Sequence, residues 1–510
     1  MTQDIRFSRP VAAAERLGLE AADRHRLLDK SVLLTGEPAV LATANGRACF
    51  LNSLQLLFRI CPDVSVLLPA ESLDLRAICS SEVGRLAFGR PITFVGATEV
   101  KDWDRFDAIL SVGTRGCADR PWTVINSQGW LARISSSSTD LPSNCDQANP
   151  LGALAAAALG TADVFKRLIQ LRPNRGRLLD GMSFSLFTYR IGTLEPGPPL
   201  SPSIALNLVM VGAGAIGNGL AILLRELPIC GRVSIVDPQV FEPENLATCA
   251  MIGPQDVGKP KARVLAESLP RSIYVQPYTE ELDVFVSRLG TDIPFPRVIL
   301  GAVDNIDARH EIQRLWADLT IDGAIGNFSC QVSRHPWDGD NACLMCLFQR
   351  PASELAEQIG SRLTGLPVER VRQSLSPLTA EDILSLPEQK QQDLRPWVGR
   401  QVCAVVTHMV AQHLSEEGQR DGFEPSVPFA ACFSATMMMA ELLKHLTSAS
   451  TPLETRFQLD MLRGPAFGQM VPQARRPDCL CVTRRRNIEK VLEARARFKS
   501  VTGSAEDGLS

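Results

Sequence analysis

The chain has 510 residues, 45% of them hydrophobic, with a formal net charge of -3. That length admits roughly two to four domains of about 100–200 residues each, and a net charge near zero gives no hint of nucleic acid as a partner. The amino terminus MTQDIRFSRP has no apolar run of the kind a secretory signal needs, and the fourteen cysteines therefore point to reduced thiols, metal ligands or catalysis in a cytosolic chain rather than to disulfides.

Taken in order, Lys30–Gly36 (KSVLLTG) predicts a strand, and Asn52–Pro69 (NSLQLLFRICPDVSVLLP) a helix followed by a second strand. Phe106–Gly116 (FDAILSVGTRG) and Trp122–Ser135 (WTVINSQGWLARIS) carry further strand patterns. The alanine-rich Gly152–Leu171 predicts a helix that closes this half. A linker rich in Pro and Gly comes next at Leu194–Pro202, so a domain boundary is expected near residue 180.

Leu206–Asp237 then reads as strand, glycine turn, helix and strand, with Gly212, Gly214 and Gly217 forming G-x-G-x-x-G. Glycines there permit a tight turn and let N–H groups at the helix start approach phosphate. Asp237 ends the second strand, where a carboxylate can hold ribose hydroxyls. Ala205–Leu224 approaches membrane-span length, but its glycines and flanking strand pattern favour a buried α/β core, and no membrane partner is expected. The motif alone fits NAD, FAD, S-adenosylmethionine and ATP enzymes alike.

The segment after the second strand is more specific. Asp237 is succeeded by Asn245, by Lys261 in a V-G-x-x-K turn opening the next helix, and by Asp304-Asn305 in VILGAVDNIDARHEIQRL. This set resembles the adenylating core shared by ThiF, MoeB and the E1 enzymes that activate ubiquitin-like proteins. The resemblance implies an ATP site in which Lys261 neutralises phosphate and Asp304 holds magnesium. Family members carry Arg-Gln where this chain has Thr248-Cys249, and Gln239 stands for the second Asp of their D-x-D. An NAD-dependent oxidoreductase would use the same glycines and Asp237, but needs neither Lys261 nor Asp304.

Aligned with this core, the first half reads as its degenerate copy: the same patterns run in the same order without the glycine motif, and Val112-Gly113-Thr114 stands where Asp304 would be. The fold expected is α/β: two Rossmann-like ThiF/E1 adenylation domains, an inactive one at 1–180 and an active one at 181–510, with a helical crossover and catalytic-cysteine region at 350–402. In E1 relatives an inactive half sends an arginine from near its start to the partner's ATP. Arg9, in Arg6-Phe7-Ser8-Arg9, is the candidate for that role; a solvated amino terminus is the alternative.

Cys343-x-x-Cys346 and Cys479-x-Cys481 together suit a closed tetrahedral zinc site that pins the carboxyl-terminal segment to the crossover, as in the family. For the thioester nucleophile that E1 relatives place on the crossover, Cys403 is the first choice, standing after Gly399-Arg400 at a predicted helix start, and Cys432 the second. The histidines form no metal pattern. The resemblance is strongest to E1 enzymes of bacterial ubiquitin-like conjugation operons, the Bil type. It implies ATP, Mg2+ and Zn2+ as cofactors, a ubiquitin-like protein and an E2-like protein as partners, and a homodimer as an option. A MoeB-like adenylator without a thioester step, and an inactive scaffold that binds a ubiquitin-like protein, are the alternatives.

Overall fold

The computed structural model describes residues 7–17, 27–86, 92–96, 103–291, 293–337, 339–349, 356–372, 376–402, 404–406, 409, 426–447 and 453–502. Two mixed sheets carry the fold. The first holds β1 (Ser31–Gly36), β2 (Asp63–Leu67), β3 (Thr93–Phe94), β4 (Ala108–Val112), β5 (Trp122–Gln128), β6 (Leu131–Ser135) and β7 (Met182–Ser185), in the order β3-β2-β1-β4-β5-β6-β7. The second holds β8 (Ile204–Val211), β9 (Ile229–Val236), β10 (Ile273–Tyr278), β11 (Val298–Gly301), β12 (Leu319–Gly326), β13 (Ser329–Pro336), β14 (Arg456–Asp460) and β15 (Gln469–Val471). Its order is β10-β9-β8-β11-β12-β13-β14-β15.

The first seven strands of the second sheet repeat the order of the first. In each sheet the first five strands across are parallel and the remainder antiparallel. The turns match as well: Gln128 pairs with Leu131 and Gly326 with Ser329, and the first turn residue is left-handed in both, Gly129 at φ 56 and Asn327 at φ 52. Glycine and asparagine are the residues that tolerate that region most readily. The duplicated Rossmann-like architecture expected from the sequence is therefore present over seven strands, with β15 added at the edge of the second sheet. The first sheet runs on to Ser185, past the boundary expected near residue 180.

The helices that frame the two sheets and the crevice of the second include α1 (Ser8–Arg16), α2 (Ala44–Ile60), α3 (Pro150–Leu168), α4 (Ala215–Glu226), α5 (Lys261–Ser268), α6 (Ile306–Arg314) and α7 (Pro428–Leu446). Helix α2 packs on α3, α7 on α4, and α3 on α7, so four helices from both halves lie against one another. Ala155, Ala156, Ala157 and Ala158 of α3 are fully buried, and side chains this small let helices approach closely. Phe165 of α3 lies 5.7 Å from Phe429 of α7, and Phe184 of β7 lies 5.9 Å from Phe433 of α7. Each such ring contributes about 1.5–3 kcal/mol by burial. One hydrophobic core thus serves both sheets.

The duplication extends to buried charge. At the same helical position, α3 carries Asp163 and Lys166, 2.7 Å apart, and α7 carries Glu441 and Lys444, 2.6 Å apart, all four side chains out of solvent. Asp163 also accepts from the Leu179 N–H and the Ser136 hydroxyl. Glu441 accepts from the Leu453 N–H and from the Tyr189 hydroxyl, which comes from the first half's terminal loop.

Residues Gln349–Glu424 form a compact unit of their own, which interrupts the chain of the larger one, Met1–Phe348 with Pro425–Ser510. Short helices occur at Val368–Arg372 and Ala380–Leu384, within the region the sequence predicts to be helical. They enclose Leu366, Val371, Leu378, Ile383 and Leu394, and Arg370 clasps Asp382 through two bonds of 2.7 and 2.8 Å. Cys403 lies outside the described residues. No helix among the described residues is long and apolar enough to cross a membrane.

Candidate active site

The order of the second sheet reverses between β8 and β11, and ligands of open α/β sheets bind where the carboxyl ends of such strands part. The glycine turn stands there. Gly212 has φ 98, and a Cβ on it would meet the Ala302 carbonyl oxygen at 2.4 Å; one on Gly217 would meet the Gly212 oxygen at 2.5 Å. Both glycines are demanded by the turn itself. A Cβ on Gly214 would meet nothing within 4 Å, so this residue opens α4 toward free space, and no side chain caps the helix start. Backbone donors with an unobstructed approach suit a phosphate.

Asp237 is buried at the end of β9. Its carboxylate accepts from the Ala213 N–H at 2.7 Å and the Gln239 N–H at 2.9 Å, which fixes the turn from beneath. Burial raises its pKa, the two N–H bonds and Lys261 pull it down, and Asp304 opposes them. Lys261 begins α5. Its Nζ donates to Gln239 Oε1 at 2.7 Å, so the neutral amide that replaces the family's carboxylate holds the ammonium without cancelling its charge. Asn245 accepts from the Glu242 N–H at 2.9 Å within a tight turn, Pro243–Ala247.

Asp304 comes after β11 and is exposed, and Asn305 caps α6 by accepting from the Ala308 N–H at 2.7 Å. Arg309 of α6 anchors this loop. It donates to the Val303 carbonyl at 2.6 Å and pairs at 3.0 Å with Asp322 on β12. Burial pushes the Asp322 carboxyl up to about 6, and Arg309 restrains the rise.

Arg9 sits on α1, which packs against the Pro243–Ala247 turn, so the amino-terminal segment reaches the second sheet's site. Burial lowers its pKa, while Cys249, Glu244 and Asp304 pull it back up. An arginine from the first half therefore stands in the field of Asp304. At the matching place in the first half the turn is filled. Glu37 succeeds β1 as Gly212 succeeds β8, and its carboxylate takes the Thr114 and Arg115 N–H groups at 2.8 and 2.9 Å and the Thr114 hydroxyl at 2.8 Å. The chain's own carboxylate satisfies the strand-end donors of that sheet.

Sequence reasoning passed over Glu37, Arg309 and Arg59. Arg59 of α2 is 1% exposed and donates to the carbonyls of Leu246, Ala250 and Ile252 at 2.7, 3.1 and 2.5 Å. Within that same loop Thr248 and Cys249 are buried. Burial pushes the Cys249 thiol up to about 11 against the pull of Lys261, Thr248, Arg59 and Arg9. Cys432, the second choice for a nucleophile, lies fully buried in α7, and desolvation pushes its thiol up to about 12.

Away from this site, Cys343, Cys346, Cys479 and Cys481 come together, their sulfurs all within 4.8 Å of one another. The Sγ separations are 3.7 Å from Cys343 to Cys346 and to Cys479, and 3.5 Å from Cys346 to Cys481. Four thiolates at about 2.3 Å from a tetrahedral zinc lie about 3.8 Å apart, so the donor set fits that ion. The Arg476 N–H points at Cys346 Sγ from 3.3 Å, the kind of outer bond that steadies a thiolate. Native mass spectrometry should find about one zinc per chain, absent from a Cys343→Ser, Cys346→Ser double variant that also melts at lower temperature. A metal-free wild type of equal stability would refute the zinc assignment.

Comparison with known proteins agrees with this geometry. Residues 31–185 match the BilD N-terminal domain and residues 205–481 match the ThiF family. Protein y4jF of Sinorhizobium fredii is 26% identical over 378 residues, which span 70% of this chain and 71% of that one. Ubiquitin-like modifier-activating enzyme 7 of Mus musculus is 33% identical over 115 residues, 21% of this chain and 12% of that one. The SAMP-activating enzyme E1 of Haloferax volcanii is 28% identical over 177 residues, 33% of this chain and 64% of its own. With the family match extending over more than half its length, and with an open glycine turn, Lys261 and Asp304 at one strand-end crevice, the chain belongs to the ThiF family of E1-like, ATP-dependent adenylating enzymes.

Proposed function

We propose that the enzyme activates the terminal carboxylate of a ubiquitin-like protein and passes the acyl group to Cys403 and then to an E2-like partner, as part of a bacterial conjugation system. The observation that supports this best is that α1 of the first half, which carries Arg9, packs against the Pro243–Ala247 turn of the second half, the half that holds the glycine turn, Lys261 and Asp304. The names of the mouse and Haloferax relatives, and the match of the first half to BilD, point the same way.

In the first step the substrate carboxylate attacks the α-phosphorus of ATP; a new P–O bond forms and pyrophosphate leaves. N–H groups of the glycine turn, Lys261 and Arg9 would hold the phosphates, and Asp237 would keep the turn in shape through Ala213. Magnesium on Asp304 would supply the further charge neutralisation that the leaving pyrophosphate requires. The resulting acyl adenylate is a mixed anhydride. A Cys403 thiolate would attack its carbonyl carbon and expel AMP, leaving a thioester.

Incubation with ATP and a cognate ubiquitin-like protein should yield an adduct that reducing agent cleaves. Cys403→Ala should abolish it and leave ATP–pyrophosphate exchange within about twofold of wild type, because the first half-reaction does not use the thiol. If wild type exchanges pyrophosphate yet never forms an adduct, the chain is an adenylator of the MoeB kind without a thioester step.

A further inference from the structure

Arg59 lies in the first half, yet its three carbonyl partners belong to the Leu246–Ile252 loop, 187 to 193 residues away in sequence. The loop is also gripped from the other side. Asn218 of α4 accepts from the Met251 N–H at 3.1 Å, and its amide nitrogen donates to the Ala213 and Gly214 carbonyls at 3.2 and 2.9 Å. A continuous line of hydrogen bonds therefore runs from the first half's helix α2, through the loop, to the glycine turn.

The loop has a reason to need such a clamp. Thr248 and Cys249 within it are buried and carry no cationic side chain that could tie the loop to a phosphate. Its carbonyls at Leu246, Ala250 and Ile252 converge instead on one guanidinium that solvent does not reach, and bonds to a charged donor in such a setting are stronger than neutral ones. Arginine alone among side chains offers five donors in a fixed fork; lysine at the same place would satisfy these diverging carbonyls incompletely.

We infer that Arg59 is a positioning residue for the nucleotide site: the first half holds the second half's glycine turn in its phosphate-binding shape through Arg59, the Leu246–Ile252 loop and Asn218. This rests on the adenylation reading but is separable from it. The required geometry comes from the fused copy. A chain stripped of that contact would keep Lys261 and Asp304 but lose the shape of the turn between them.

The test compares wild type with Arg59→Lys by calorimetric titration of Mg–AMPPNP and by hydrogen exchange of peptides covering 246–252 and 212–218. Wild type should bind the nucleotide; if it does not, the adenylation reading fails, not the clamp. Arg59→Lys should bind at least about tenfold more weakly, with faster exchange at both peptides and unchanged exchange in β8, β9 and α7. Equal affinity and equal exchange at 246–252 in the two proteins would overturn the inference. Should Arg59→Lys not fold, Asn218→Ala breaks the same line at its far end. It must weaken nucleotide binding and loosen 212–218 while leaving α2 protected, and wild-type behaviour in that variant would equally defeat the proposal.

Discussion

Lys261→Ala and Asp304→Ala are each expected to cut ATP–pyrophosphate exchange about a hundredfold or more while leaving the protein folded. Lys261 is held at the mouth of the glycine turn by Gln239 at 2.7 Å, a neutral partner that leaves the ammonium charge available to phosphate. Removing an oriented charge aimed at developing negative charge typically costs about 2.7–4 kcal/mol of transition-state stabilisation, which is the expected rate loss. Asp304 is exposed, so its truncation opens no cavity. Arg309 still holds the loop through Val303 and Asp322, so the fold survives. Exchange with labelled pyrophosphate, alongside a melting curve, separates the two effects. Wild-type exchange in both variants would remove the adenylation assignment.

The largest stability effect should come from Glu441. Its carboxylate accepts from Lys444, from the Tyr189 hydroxyl and from the Leu453 N–H, and all of this is buried. Desolvation already lowers the pKa of Lys444, with Glu441 holding it up, and burial raises that of Tyr189. Glu441→Ala leaves an ammonium, a hydroxyl and an amide without an acceptor, so a loss of about 3–5 kcal/mol in urea unfolding is expected. The double variant Glu441→Leu, Lys444→Met should recover a large part of it, because replacing both members of a buried pair by apolar groups is often nearly neutral. If the single variant loses less than about 1 kcal/mol, the pair contributes nothing that Leu453 and Tyr189 cannot find elsewhere.

Much of the fold and the site is legible in the sequence because it is local. Glycine spacing, strand alternation and Cys-x-x-Cys report on neighbours a few residues apart, and the order of the patterns in the first half is enough to show a second copy of the fold. Asp237, Lys261 and Asp304 stand at strand and helix ends that such patterns mark. The rest depends on partners far off in the chain. Arg59 ends a helix where a basic residue ordinarily faces solvent and the helix dipole, and nothing beside it announces three backbone carbonyls from the other half. Glu441 and Lys444 read as an ordinary surface pair on a helix, whereas packing of α3 and α7 puts them out of solvent. Arg9 is balanced in the sequence against a solvated terminus, and the balance turns on Phe7, whose ring is 1% exposed and seats α1 in the common core.

The core common to both sheets also decides how the enzyme responds to dilution and to damage. Two separate copies meeting through the same helices would equilibrate, so that a defective copy could exchange into healthy pairs and poison them, and a scarce protein would fall apart into inactive halves. Here the contact among α2, α3, α4 and α7 is made within one chain. The effective concentration of one half at the other is then set by the tether and not by expression level. The first copy carries Glu37 at its turn while retaining the face that meets its twin. A single translation product thus delivers both halves already in contact.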